Sequence, residues 1–118
     1  MSQDDDGRLM QAGLHDCFTR SKSSLQTVRE LGMDENYAQV TLLECSICGQ
    51  LWVRYHYELE AITASGRWYL GAITSGQASN LTAENAKEML ESLDWYIYGG
   101  SYFGGHISKA SGRIYTGI

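Results

Sequence analysis

The run Cys45-Ser46-Ile47-Cys48-Gly49 is the part of this chain whose residue types and spacing most directly suggest chemistry. Two thiols separated by two residues can aim both sulfurs at one metal ion. The glycine that follows supplies the positive φ such a tight knuckle requires. A structural zinc takes four ligands, however, and no second Cys-x-x-Cys occurs. The metal site that the composition allows therefore draws on Cys45, Cys48 and Cys17, with His15, His56 or His106 as the fourth ligand. The competing reading is two reduced cysteines packed in a hairpin turn. Thiol–disulfide chemistry of the thioredoxin kind fits poorly, because its first cysteine sits at a helix N-terminus, where the thiolate is stabilised. Here the motif joins two strands.

Three further groups of residues invite the same question. Arg54, His56, Glu58 and Glu60 share one face of a strand, where a histidine beside two carboxylates can hold a metal or pass a proton. Alternating charges on an exposed sheet face also arise simply by pairing across strands. Eleven aromatic side chains follow position 50. Tyr and Trp combine rigid area with a polar edge and are enriched where proteins bind one another. Finally, Gly99-Gly100-Ser101-Tyr102-Phe103-Gly104-Gly105 lacks the lysine of a phosphate-binding loop and the glycine spacing of a nucleophile elbow. Its expected role is a bent chain presenting Tyr102 and Phe103, with His106 nearby. No acidic partner close in sequence supports catalysis by Ser101 and His106.

The elements that must position these groups follow from periodicity. Leu51, Val53, Tyr55, Tyr57, Leu59 and Ala61 alternate with Trp52, Arg54, His56, Glu58 and Glu60, which predicts a strand with one dry and one wet face. Ala64-Ser65-Gly66 turns the chain, and Arg67–Thr74 returns as its antiparallel partner. Tyr37–Cys45 is an earlier strand and Trp95–Tyr98 a later one, with both of its faces aromatic. Ile107 to a turn at Ser111-Gly112, then Arg113–Tyr115, forms a last hairpin. Ser75–Asn80 reads as a loop. Thr82 is the expected N-cap of a helix over residues 82–93, whose Ala86, Met89, Leu90 and Leu93 make one apolar stripe. Leu9, Met10, Leu14 and Phe18 predict one short amino-terminal helix, and Leu25, Val28 and Leu31, closed by Gly32, predict another. Residues 1–8 read as a disordered acidic tail and residues 9–118 as one domain.

Length and charge narrow the function. The 118 residues make one domain, and 43% apolar with 19% charged residues is an ordinary globular balance. No apolar run approaches the roughly 18 residues of a membrane helix. The start, Met-Ser-Gln-Asp-Asp-Asp, is acidic where an export signal would be basic, so a cytoplasmic protein is expected. Fourteen acidic against nine basic side chains give a net charge of −5, and no two basic residues are adjacent. That argues against nucleic acid and toward a basic protein partner.

Cys45–Gly49 with Trp52, then Arg67-Trp68-Tyr69, then Trp95–Phe103, resemble a family of small bacterial proteins. In size, acidity, α+β texture and aromatic loading the chain is similar to immunity proteins of bacterial toxin systems. That resemblance implies a protein that binds and neutralises a cognate toxin, and it assigns no contact residue.

The expected fold is thus α+β: an antiparallel sheet of four or five strands, with the helix near 82–93 and short amino-terminal helices packed on it. The expected function is a non-enzymatic, cofactor-free binding module that occludes a basic toxin domain. His56, Glu58, Glu60, Tyr102 and Phe103 are the expected contact residues. The alternative is a small zinc-ribbon-like structural protein.

Overall fold

The structure is a computed structural model, described here for residues 24–57, 66–100, 103 and 106–114. Its strands are β1 (Leu25–Met33), β2 (Gln39–Cys45), β3 (Leu51–Tyr57), β4 (Arg67–Ile73), β5 (Tyr96–Gly99) and β6 (Ser108–Ala110). Two short helices, α1 (Ser75–Asn80) and α2 (Ala86–Glu91), lie between β4 and β5. All six strands form one sheet in sequence order, and every neighbouring pair is antiparallel. Among the described residues no helix is long and apolar enough to cross a membrane.

The expected fold needs correction in several places. The sheet has six strands rather than four or five, and the helical part is two single-turn pieces rather than one helix over 82–93. The segment carrying Leu25, Val28 and Leu31 is the edge strand β1, not a helix. Register shifts between Thr27 and Arg29 and between Glu30 and Gly32 interrupt its two-residue alternation. Leu25 packs in one apolar layer and Leu31 in the other, and Val28 is 51% exposed, so their three-residue spacing marks no common face. The predicted helix over residues 9–18 and the tail 1–8 lie outside the described residues.

The 75–80 segment is helical because Thr74 and Gln77 close a capping box. Thr74 Oγ1 accepts from Gln77 N at 3.0 Å, and Thr74 N donates to Gln77 Oε1 at 2.8 Å. Thr82 does bind the backbone at its own turn, but with Asn85 as its reciprocal partner, at 3.1 and 2.8 Å. That exchange closes a separate turn before α2, so the helix starts at Ala86. At the carboxyl end, β6 pairs with β5, and the expected return over residues 113–115 lies partly outside the described residues.

Two apolar layers result. Val40, Leu42, Val53, Tyr55, Tyr69, Ile73 and Tyr96 occupy one face and receive Ala78, Leu81, Ala86 and Leu90 from the helical segment. Gly71 on β4 allows this close approach: a Cβ there would lie 2.5 Å from Leu93 Cδ1 and 2.6 Å from Leu90 Cδ2. The other face is only partly the wet surface that alternation predicts, with Arg54 exposed and His56 half-buried. Leu43, Cys45, Trp52 and Leu70 are buried on it, with Leu25, Trp68, Trp95 and Ile97 packed around them. Trp52 meets Trp95 edge-on, their ring centroids 6.4 Å apart.

Candidate functional site: an acidic groove at the turn between the first two strands

The turn between β1 and β2 is organised by Asp34, whose carboxylate accepts from the backbone N–H groups of Asn36 (2.9 Å) and Ala38 (3.0 Å). Asp34 also receives the Tyr55 hydroxyl of β3, and Asn36 Nδ2 donates to that same hydroxyl at 3.3 Å. Burial, then the bond to Asp34, pushes the Tyr55 phenol well above its ordinary value. The turn is therefore anchored to the sheet by a buried network. At its tip Tyr37 has φ 64° and leaves 71% of its surface in solvent. A non-glycine residue in that left-handed region is strained by roughly 1–2 kcal/mol. The bonds at Asp34, with Tyr37 N donating to Asp34 O at 3.0 Å, hold the turn in this conformation.

Asp34, Glu35 and Asn36 form one wall of a groove of about 590 Å³. Glu84, Lys87, Glu88 and Glu91, in and just before α2, form the second wall, and Gly112 with Arg113 close it. Among the described residues five carboxylates face two cations, an excess of three negative charges. They are not equivalent. Glu91 is bound to Lys87 at 2.9 Å and accepts from Ile114 N at 2.8 Å. Burial alone would raise its carboxyl, but Ile114 N–H, Lys87 and Arg113 outweigh that and hold it below the usual range. Glu35, Glu84 and Glu88 stand exposed along the groove.

The residues singled out from sequence are dispersed. Cys45 is buried in the second apolar layer, its Sγ 3.0 Å from Ser24 Oγ, whereas Cys48 is exposed. Gly49 has φ 79° and its N–H donates to Cys45 O at 2.9 Å, so the knuckle backbone is present as expected. No group of three or more His, Cys, Asp or Glu that could hold a metal occurs among the described residues, and Cys17 lies outside them. His56, half-buried, lines a cavity of about 500 Å³ on the second face with Arg54, Trp68 and Leu70. His106 is exposed and does not line it. Glu58, Glu60, Ser101 and Tyr102 lie outside the described residues. Phe103 is half-buried, its ring edge-on to Tyr98 with centroids 4.8 Å apart, so it is a packed wall rather than a fully presented one.

Sequence reasoning missed the groove. Asp34, Glu35, Glu84, Glu88 and Glu91 form two clusters about fifty residues apart, and only the sheet brings them together. The one legible signal was Asp34-Glu35-Asn36, a turn composition.

Comparison with protein-family models, curated proteins and solved structures returned no match to this chain.

Proposed function

We propose that this chain is a non-enzymatic binding module of the cytoplasm whose partner is a basic protein domain, and that it acts as an immunity protein by covering a toxin's functional surface. The observation that carries the reading is the acidic groove together with the exposed Tyr37, which follows the groove-lining Asn36 in the same turn. Like-charged side chains along one groove raise the encounter rate with a basic surface. An exposed aromatic residue supplies the apolar anchor that slows dissociation. The anchor expected from sequence, Tyr102-Phe103, is replaced by Tyr37 in this reading, and the carboxylates are Glu35, Glu84 and Glu88 rather than Glu58 and Glu60.

The two contributions separate kinetically. Reversing Glu84 and Glu88 to lysine lowers the association rate with a basic toxin domain by about tenfold or more at low salt. Tyr37→Asn keeps the turn, since asparagine tolerates the left-handed region, and accelerates dissociation by about thirtyfold for an anchor worth roughly 2 kcal/mol. Surface plasmon resonance against the basic product of an adjacent toxin gene reads both. Absence of binding at micromolar concentration, or an association rate indifferent to the charge reversal, overturns the proposal.

A further inference from the structure

Beyond the helices, the first face of the sheet ends in a cavity of about 380 Å³ walled by Arg67, Tyr69, Tyr96, Tyr98, Phe103 and Arg113. Its volume falls within the range of small-molecule sites. Its composition runs against that of the chain: the protein carries a net charge of −5, yet two guanidiniums and no described carboxylate line this space. Arg67 is 1% exposed, on β4 directly opposite Tyr57 of β3, with its guanidinium 4.8 Å from the Tyr57 ring centroid. Burying a cation is costly, and a buried arginine on a cavity wall is a fixed source of positive potential. A guanidinium presents five N–H donors in a planar fork.

The aromatic rings form a continuous wall. Tyr69 stacks near Tyr98 at 6.1 Å and 27°, and meets Tyr96 edge-on at 5.9 Å. Phe103 stands edge-on to Tyr98. The Tyr96 hydroxyl donates to Gly112 O at 3.1 Å, which holds the segment carrying Arg113 against the rings.

We propose that this cavity binds a planar anionic small molecule, a single ring system bearing a carboxylate or phosphate, with the ring against Tyr98 and Phe103 and the anionic group on Arg67 and Arg113. A planar fork of donors matches either oxyanion, and flat π-surfaces select a ring over an aliphatic chain. The inference does not rest on the partner reading, although Arg113 lines both the acidic groove and this cavity.

The test titrates the full chain with phenyl phosphate, indole-3-acetate and adenosine monophosphate, with inorganic phosphate and benzyl alcohol as controls, by ligand-observed NMR. At least one ring anion binds with Kd of about 1 mM or tighter, and each control binds about tenfold more weakly because it carries half of the recognition. The carboxylate and phosphate probes tell the two oxyanions apart. Arg113→Met and Phe103→Leu each weaken binding about tenfold while far-ultraviolet circular dichroism stays unchanged. Arg67 is buried, so its substitution tests folding as well, and the conclusion rests on the other two variants. Failure of all three ring anions to bind, binding equal to that of inorganic phosphate, or binding unaffected in both variants overturns the proposal.

Discussion

The Tyr55 hydroxyl donates to the buried carboxylate of Asp34, tying the middle of β3 to the turn between β1 and β2. Through this bond an edge hairpin with a largely exposed first strand is joined to the core. The same bond sets the position of Tyr37 and of one wall of the acidic groove.

Replacing Tyr55 by phenylalanine removes the donor and leaves a buried carboxylate short of one partner. Hydrogen bonds to charged groups contribute roughly 1.5–3 kcal/mol, so Tyr55→Phe lowers unfolding free energy by about that amount. Urea denaturation measures it. A loss of only a few tenths would show that the turn does not depend on this contact.

Alkaline pH attacks the same network. Tyr55 and Tyr96 both have phenols raised above the ordinary value, chiefly by burial, with Asp34 adding to the first and Glu91 to the second. The folded state therefore holds protons that the unfolded chain releases near pH ~10. Their contribution is fully present below that value and is lost as pH rises through and beyond it. Unfolding midpoints measured from pH 9 upward decline, and the decline is shallower in Tyr55→Phe. An equally steep decline in that variant would sink the assignment.

Glu91 gives the opposite dependence at acid pH. Its folded carboxyl is held below the ordinary value, so the unfolded chain takes up the proton first as pH falls. This contribution is complete above pH ~4.3 and is lost as pH drops below it. Glu91→Gln is less stable than the parent at neutral pH, and the two stability curves converge on acidification. Parallel curves would mean that the Lys87 and Ile114 contacts contribute nothing pH-dependent.

Gly71 tests how α2 is seated. Its substitution by alanine drives a methyl group into Leu90 and Leu93, which must rotate away, at a cost of roughly 1–3 kcal/mol. Leu90→Ala, at a fully buried position, costs about 2–5 kcal/mol. The double variant is not additive, because removing the Leu90 side chain opens space for the new methyl. A strictly additive double variant would contradict the contact.

Much of the sheet was legible from residue order. Alternation of Leu51, Val53, Tyr55 and Tyr57, and the return at Arg67, fix β3 and β4 because an antiparallel strand with a buried face must repeat every two residues. The aromatic face assignments on Trp95–Tyr98 follow from the same rule, with Tyr96 and Tyr98 on one layer and Trp95 and Ile97 on the other. The helical segment was legible only as an apolar stripe. Its division at Thr82 depends on side-chain-to-backbone bonds whose competition with helix propagation is local and closely balanced.

What residue order determined by itself is the acidic balance and the antiparallel character of the central strands, since neither needs contacts between distant elements. The tertiary structure alone decided that β1 is a strand, that the second face carries an apolar cluster of its own, and that Glu84 and Glu88 share a groove with Glu35. Arg67 among four aromatic rings belongs with these. Each such feature brings together side chains from distant strands, and their meeting depends on register and packing between elements rather than on any local preference.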